Sequence, residues 1–67
     1  MIDARVNGEP RSLPAGSTVD DVVAVLSPSR SGIAVALNGL VISRSSWGSV
    51  PIEAGDEVEV LTAAQGG

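Results

Sequence analysis

The chain has 67 residues, room for one small domain, and its 43 % apolar content rests mainly on 8 alanines and 10 valines beside a single aromatic residue, Trp47. Without cysteine or histidine it has no disulfide, zinc knuckle, thiol nucleophile or imidazole base to draw on. Eight carboxylates against four arginines and no lysine leave a net charge of −4, which argues against nucleic acid and toward a basic protein surface as partner.

No apolar run approaches the roughly 20 residues of a membrane span, and no signal pattern opens the chain, so a cytoplasmic protein away from membranes is expected. The first element is a half-buried strand, because Ile2, Ala4 and Val6 alternate with Asp3 and Arg5. Asn7-Gly8 then predicts a tight hairpin, and Glu9 to Leu13 returns as a strand that Pro10 confines to an edge. Pro14-Ala15-Gly16 is a turn. Ser17 or Thr18 caps a helix whose first turn carries Asp20 and Asp21, against the positive end of the helix dipole. Val19, Val22, Val23 and Leu26 recur as one apolar stripe, and Pro28 ends the helix ahead of a polar loop to Gly32.

Ile33 to Leu37 has no polar face and is expected in the centre of a sheet. Asn38-Gly39 repeats the hairpin signal, with Leu40-Val41-Ile42 returning. Ser43 to Ser49 reads as irregular around Trp47, followed by an extended stub at Val50-Pro51-Ile52 and a turn at Glu53-Ala54-Gly55-Asp56. Glu57-Val58-Glu59-Val60-Leu61 alternates as the last strand. Hairpin, helix, hairpin, loop and strand make an α+β fold in which one amphipathic helix covers one face of a mixed sheet. The pattern leaves the strand order open.

The side chains offer little chemistry. Glu57 and Glu59 share a solvated strand face, and Asp20 and Asp21 complement the helix dipole, whereas paired catalytic carboxylates need a cleft. No glycine pattern matches a phosphate-binding loop. Trp47 is expected to pack under its own loop, with Arg44 over the indole or against a partner. Leu61, on the outward face of the acidic strand, is expected to join Leu40 or Ile42 in an apolar docking patch.

What remains is the end of the sequence. From Thr62 to Gly67 an extended segment reaches about 20 Å, and its last two residues, Gly66 and Gly67, carry no side chains. Such a slim, flexible probe could thread a narrow channel, with Gln65 and Gly66 inside it, and bring the α-carboxylate of Gly67 to a remote active site. Residues 1–61 are accordingly expected to form the domain and 62–67 a flexible tail.

Several runs resemble the ThiS family of sulfur carriers. They are Val35-Ala36-Leu37-Asn38-Gly39-Leu40-Val41-Ile42, Ser46-Trp47, the stretch from Ile52 to Ala63 and the closing Gln65-Gly66-Gly67, with Asn7-Gly8-Glu9 and Pro14-Ala15-Gly16 ahead of them. The resemblance implies a β-grasp, ubiquitin-like fold of about five strands under one main helix. It also implies a carrier rather than an enzyme, with no bound cofactor and no metal. A ThiF-type enzyme would use ATP to adenylate Gly67, a sulfur-relay enzyme would supply the sulfur, and a thiazole synthase of the ThiG type would take it from the resulting thiocarboxylate into the thiazole of thiamine. Carriers of the molybdopterin synthase or cysteine-synthesis type share the end group, and a ubiquitin-like binding module that is never activated is the other alternative. Absence of lysine disfavours a chain-forming modifier.

Overall fold

A computed structural model of the protein describes residues 1–26 and 32–62. Two hairpins organise it. The first joins β1 (Ile2–Val6) to β2 (Glu9–Leu13) through Asn7 and Gly8 at φ 53° and 83°. The second joins β3 (Ile33–Leu37) to β4 (Leu40–Ile42) through Asn38 and Gly39 at φ 51° and 86°. Two successive left-handed residues give the turn whose twist matches that of the strands it connects, and Asn-Gly tolerates that backbone best. The last strand, β5 (Glu57–Thr62), enters between the hairpins, so that the sheet runs β2-β1-β5-β3-β4. It lies parallel to β1, with Val6 beside Val58, and antiparallel to β3, with Val35 opposite Val60.

Both turn asparagines also hold β5. On one side the Asn7 amide donates to the Val58 carbonyl at 2.8 Å, and the Asn7 Oδ1 accepts from the Val60 amide at 2.8 Å. On the other, the Asn38 amide donates to the Glu57 carbonyl at 2.8 Å, while its Oδ1 accepts from the Glu57 amide at 2.9 Å. The Asn38 Nδ2 donates to Asp56 Oδ1 at 3.0 Å, and Asp56 Oδ2 accepts from the Glu53 amide at 2.8 Å, which closes the turn before β5. β1 pairs with β5 only at Glu57 and Val58. The Asn7 side chain therefore extends the pairing along β5 by one hydrogen bond.

The helix α1 (Val19–Leu26) starts at Thr18, whose amide donates to Asp21 Oδ2 at 2.9 Å while Asp21 donates its own amide to Thr18 Oγ1 at 3.3 Å. This is a capping box with aspartate in the acidic position. The extended stub secures the same end: the Val19 amide donates to the Val50 carbonyl and the Ile52 amide to that of Ser17, at 2.9 and 2.8 Å. Valine costs a helix up to about 0.7 kcal/mol per residue against alanine. Burying a valine side chain returns about 1.5–3 kcal/mol, and Val19, Val22 and Val23 are all buried. Packing outweighs propensity here. These valines face Ala4, Val6, Val35, Val58 and Val60 of the sheet, with Ile33, Ile52 and Trp47 completing the core.

Three expectations need correction. The segment around Trp47 is a 3₁₀ helix over Arg44–Ser49, opened by the Ser46 amide donating to the Ser43 carbonyl at 2.8 Å. It is tight because it must carry the indole, 1 % exposed, inward to where Nε1 donates to the Ile42 carbonyl at 3.0 Å. β3 has strand neighbours on both sides, yet it is not the middle strand and is covered on one face only, so Ala34 is exposed. Thr62, expected to begin the tail, still pairs opposite Ile33. The expected helix stop at Pro28 and most of the loop to Gly32 lie outside the described residues.

Replacing Asn7 separates its two roles. Asn7→Ala should destabilise by about 2–4 kcal/mol, combining an unsatisfied part-buried Val60 amide with strain at positive φ. Asn7→Gly, free of that strain, should still lose about 1–3 kcal/mol in urea unfolding; an unchanged midpoint would contradict the β5 contact.

Candidate functional site

The alternation of β5 sends Val58 and Val60 into the core and leaves Glu57, Glu59 and Leu61 on the outward face. The register extends that face across the sheet. Glu59 lies opposite Ala36, which lies opposite Val41, and Leu61 lies opposite Ala34. Val41 is 79 % and Leu61 65 % exposed, Ala34 is exposed and Ala36 half-buried. These side chains form an apolar strip with no helix over it. Its neighbours toward β1 are polar: Arg5 sits beside Glu57 and donates to the Gly8 carbonyl at 2.8 Å, and Asp3 accepts from Ser12 Oγ at 2.9 Å.

This register revises the expected docking patch. Leu40 pairs opposite Leu37 and Ile42 opposite Val35, so both belong to the covered face, away from Leu61. Ile42 is half-buried against the core, and Leu40 is exposed only because its edge strand reaches past the packed interior. The residue that joins Leu61 is Val41, with the two alanines of β3 between them. Nothing in β4 alone could reveal this, because Leu40, Val41 and Ile42 are all apolar and give no alternation. The signal lay in Ile33 to Leu37, whose missing polar face was read as burial on both sides.

At the end of the sheet, Gly32, Ile33, Ala34, Arg44, Leu61 and Thr62 surround a shallow cleft of about 280 Å³. Arg44 is exposed at its edge, its guanidinium carbon 5.9 Å from the centroid of the Trp47 ring, the outer limit of a cation–π contact. The chain continues from Thr62 beside this cleft. Gln65, Gly66 and Gly67, the residues to which the sequence assigns the chemistry, lie outside the described residues. A second, larger groove, lined by Leu13, Pro14, Ala15, Val22 and Val25, lies on the helix side of the sheet.

Three of the carboxylates are committed to structure, Asp21 to the helix cap, Asp3 to Ser12 and Asp56 to its turn. Among the described residues no three acidic, histidine or cysteine side chains are placed to hold a metal ion, and no helix is long and apolar enough to cross a membrane. The folded part offers a surface and an exit point for the chain rather than a reaction centre.

Comparison with known proteins matches that division. The sequence model of the ThiS family matches residues 4–67. A curated relative, the thiazole synthase of Magnetococcus marinus, is 34 % identical over 62 residues, covering 92 % of this chain. The chain spans 19 % of that protein's length. The crystal structure of the thiamine biosynthesis protein ThiS from Geobacter metallireducens superimposes with a TM-score of 0.80 at 28 % identity, covering 98 % of this chain and all of that one. The solution structure of a thiamine biosynthesis protein from the same organism gives a TM-score of 0.77 at 28 % identity, over 98 % of this chain and 88 % of that one. The five-stranded sheet under one helix is the β-grasp fold of these structures.

Proposed function

The chain belongs to the ThiS family, and on that footing we propose that it is a sulfur carrier of thiamine biosynthesis whose reacting group is the α-carboxylate of Gly67. The observation that carries this reading is the family match itself, which runs through Gly66 and Gly67. The fold supports it, because β5, the middle strand, leads directly to that segment.

A carboxylate is a poor electrophile, so its carbon must be activated before sulfur can attack. A ThiF-type enzyme supplies this step: a Gly67 carboxylate oxygen attacks the α-phosphorus of ATP, pyrophosphate leaves, and an acyl-adenylate forms. Hydrosulfide then adds to the acyl carbon and AMP departs with the bonding electrons, leaving a thiocarboxylate and a proton. When a relay enzyme delivers the sulfur as a persulfide, the same attack gives an acyl disulfide, which a thiol reduces to the thiocarboxylate. The product is a nucleophilic sulfur on a protein handle. A thiazole synthase takes it, and the similarity to a protein of that name supports this partner.

In this scheme ATP and the sulfur donor are substrates of the partners. The carrier contributes its chain end, and dependence on ATP fits a cytoplasmic setting. The five residues after Thr62 reach at most about 18 Å when drawn out, so the partner's active site must lie within that distance of the cleft beside Arg44. Gln65 and Gly66 occupy the channel, where glycine leaves room for the walls to close on the backbone.

Intact-mass measurement after incubation with a ThiF-type enzyme, ATP and sulfide should show a gain equal to the difference between a sulfur and an oxygen atom. An unchanged mass, under conditions that convert an established carrier, would favour a ubiquitin-like module that is never activated. Conversion by the activating enzyme but sulfur transfer only to a molybdopterin synthase would reassign the pathway. Gly66→Val should load about tenfold more slowly, a barrier increase of about 1.4 kcal/mol, because a β-branched side chain restricts the backbone and widens the chain within the channel. Normal loading of that variant would remove the threading step.

A further inference from the structure

We infer that the outward strip of Ala34, Ala36, Val41 and Leu61 is the surface on which the adenylating partner recognises this chain, and that Glu59 and Arg44 on two of its borders fix the partner's orientation. The inference rests on the carrier reading above and adds to it the selecting surface and the chemistry of what it meets.

The argument begins from what the partner must distinguish. Before loading, the end of the carrier is an ordinary α-carboxylate, a group that every polypeptide has. An activating enzyme that read only the end would adenylate any slim chain terminus, so selection has to come from the folded surface. A sulfur acceptor is under no such constraint, because the thiocarboxylate itself marks the loaded carrier. The strip is therefore assigned to the activating partner.

Position and composition agree with that assignment. The strip ends at Leu61, one residue before the end of β5, so a protein that holds the following residues in its active site lies over it. Val41 and Leu61 are large apolar side chains left open to solvent on a sheet face without a covering helix. Contiguous exposed apolar side chains with a polar border mark protein-binding surfaces. Glu59 continues the row of Val41 and Ala36, whereas Arg44 borders the cleft at Ala34 and Leu61. The matching partner surface is apolar in the middle, with an arginine or lysine facing Glu59 and a carboxylate facing Arg44. Reversing the partner would set like charges against each other, which is how border charges impose orientation. A second copy of this chain is a poor occupant, since each copy carries a net charge of −4.

Carrier-dependent exchange of pyrophosphate into ATP, catalysed by the ThiF-type enzyme, measures recognition before sulfur enters. Val41→Glu and Glu59→Lys should each raise the KM for the carrier about tenfold with kcat within about twofold, because the chain end is untouched. Arg44→Glu should do the same, and Arg44→Lys should recover part of the loss. Thermal midpoints should match the parent for Val41→Glu and Glu59→Lys, since both side chains face solvent. Unaltered KM values in variants of a parent that does exchange would overturn the surface while leaving the carrier reading intact. No exchange with the parent would overturn both. Normal exchange by Val41→Glu, with loss only at thiazole synthase, would assign the strip to the other partner and refute the inference. A parent dimer dissociated by Val41→Glu in sedimentation would replace the enzyme with a second copy.

Discussion

The structure depends on how β5 is held. It is the last strand to be made and the middle strand of the sheet, so the two hairpins on either side become one sheet only through it. Backbone pairing to β1 covers just two of its residues. The asparagine at each hairpin turn adds side-chain hydrogen bonds to the β5 amides of Val60 and Glu57. The left-handed backbone that makes Asn-Gly a good turn is thus used twice, once to reverse the chain and once to direct an amide side chain along the neighbouring strand. In a core built from valine and alanine around one indole, such polar clamps carry weight that larger apolar side chains carry elsewhere.

The same strand joins stability to the proposed chemistry. One face of β5 supplies Val58 and Val60 to the core, and the other supplies Glu57, Glu59 and Leu61 to the surface. Its end fixes the point from which the diglycine segment continues. Division of labour between a rigid sheet and a slim chain end explains how so small a protein can take part in group transfer. The fold is the handle, the partners carry the catalysts, and the terminal carbonyl carbon is the only atom of the carrier that needs to change its bonding.

Much of this was readable in the sequence wherever local chemistry decides local structure. Asn-Gly pairs gave both hairpins, period-two alternation gave β1 and β5, and Thr18 with Asp21 gave the helix start. What could not be read is what depends on contacts distant in sequence. Insertion of β5 between β1 and β3 follows from pairings across most of the chain length, and no local pattern encodes them. The docking patch failed for a related reason: Leu40, Val41 and Ile42 do not alternate, so their two faces become distinct only when pairing with β3 sets the register. Ala34 and Ala36 misled in the same way, because small apolar residues suit a buried strand and a bare sheet face equally well. The 3₁₀ helix at Arg44–Ser49 was hidden because serine and glycine suggest a loop, while it is the buried Trp47 that forces the chain to coil. The assignment of chemistry to Gly67 came from family resemblance and from the scarcity of reactive side chains.

The central claim is that the reacting group of this molecule is its main-chain end. It is tested most directly by preparing the same chain with Gly67 as a carboxamide and comparing it with the free acid in the complete system of activating enzyme, ATP, sulfur donor and thiazole synthase. The account predicts thiazole formation with the acid and none with the amide, although both chains fold and unfold identically. Equal sulfur delivery by the two would contradict it.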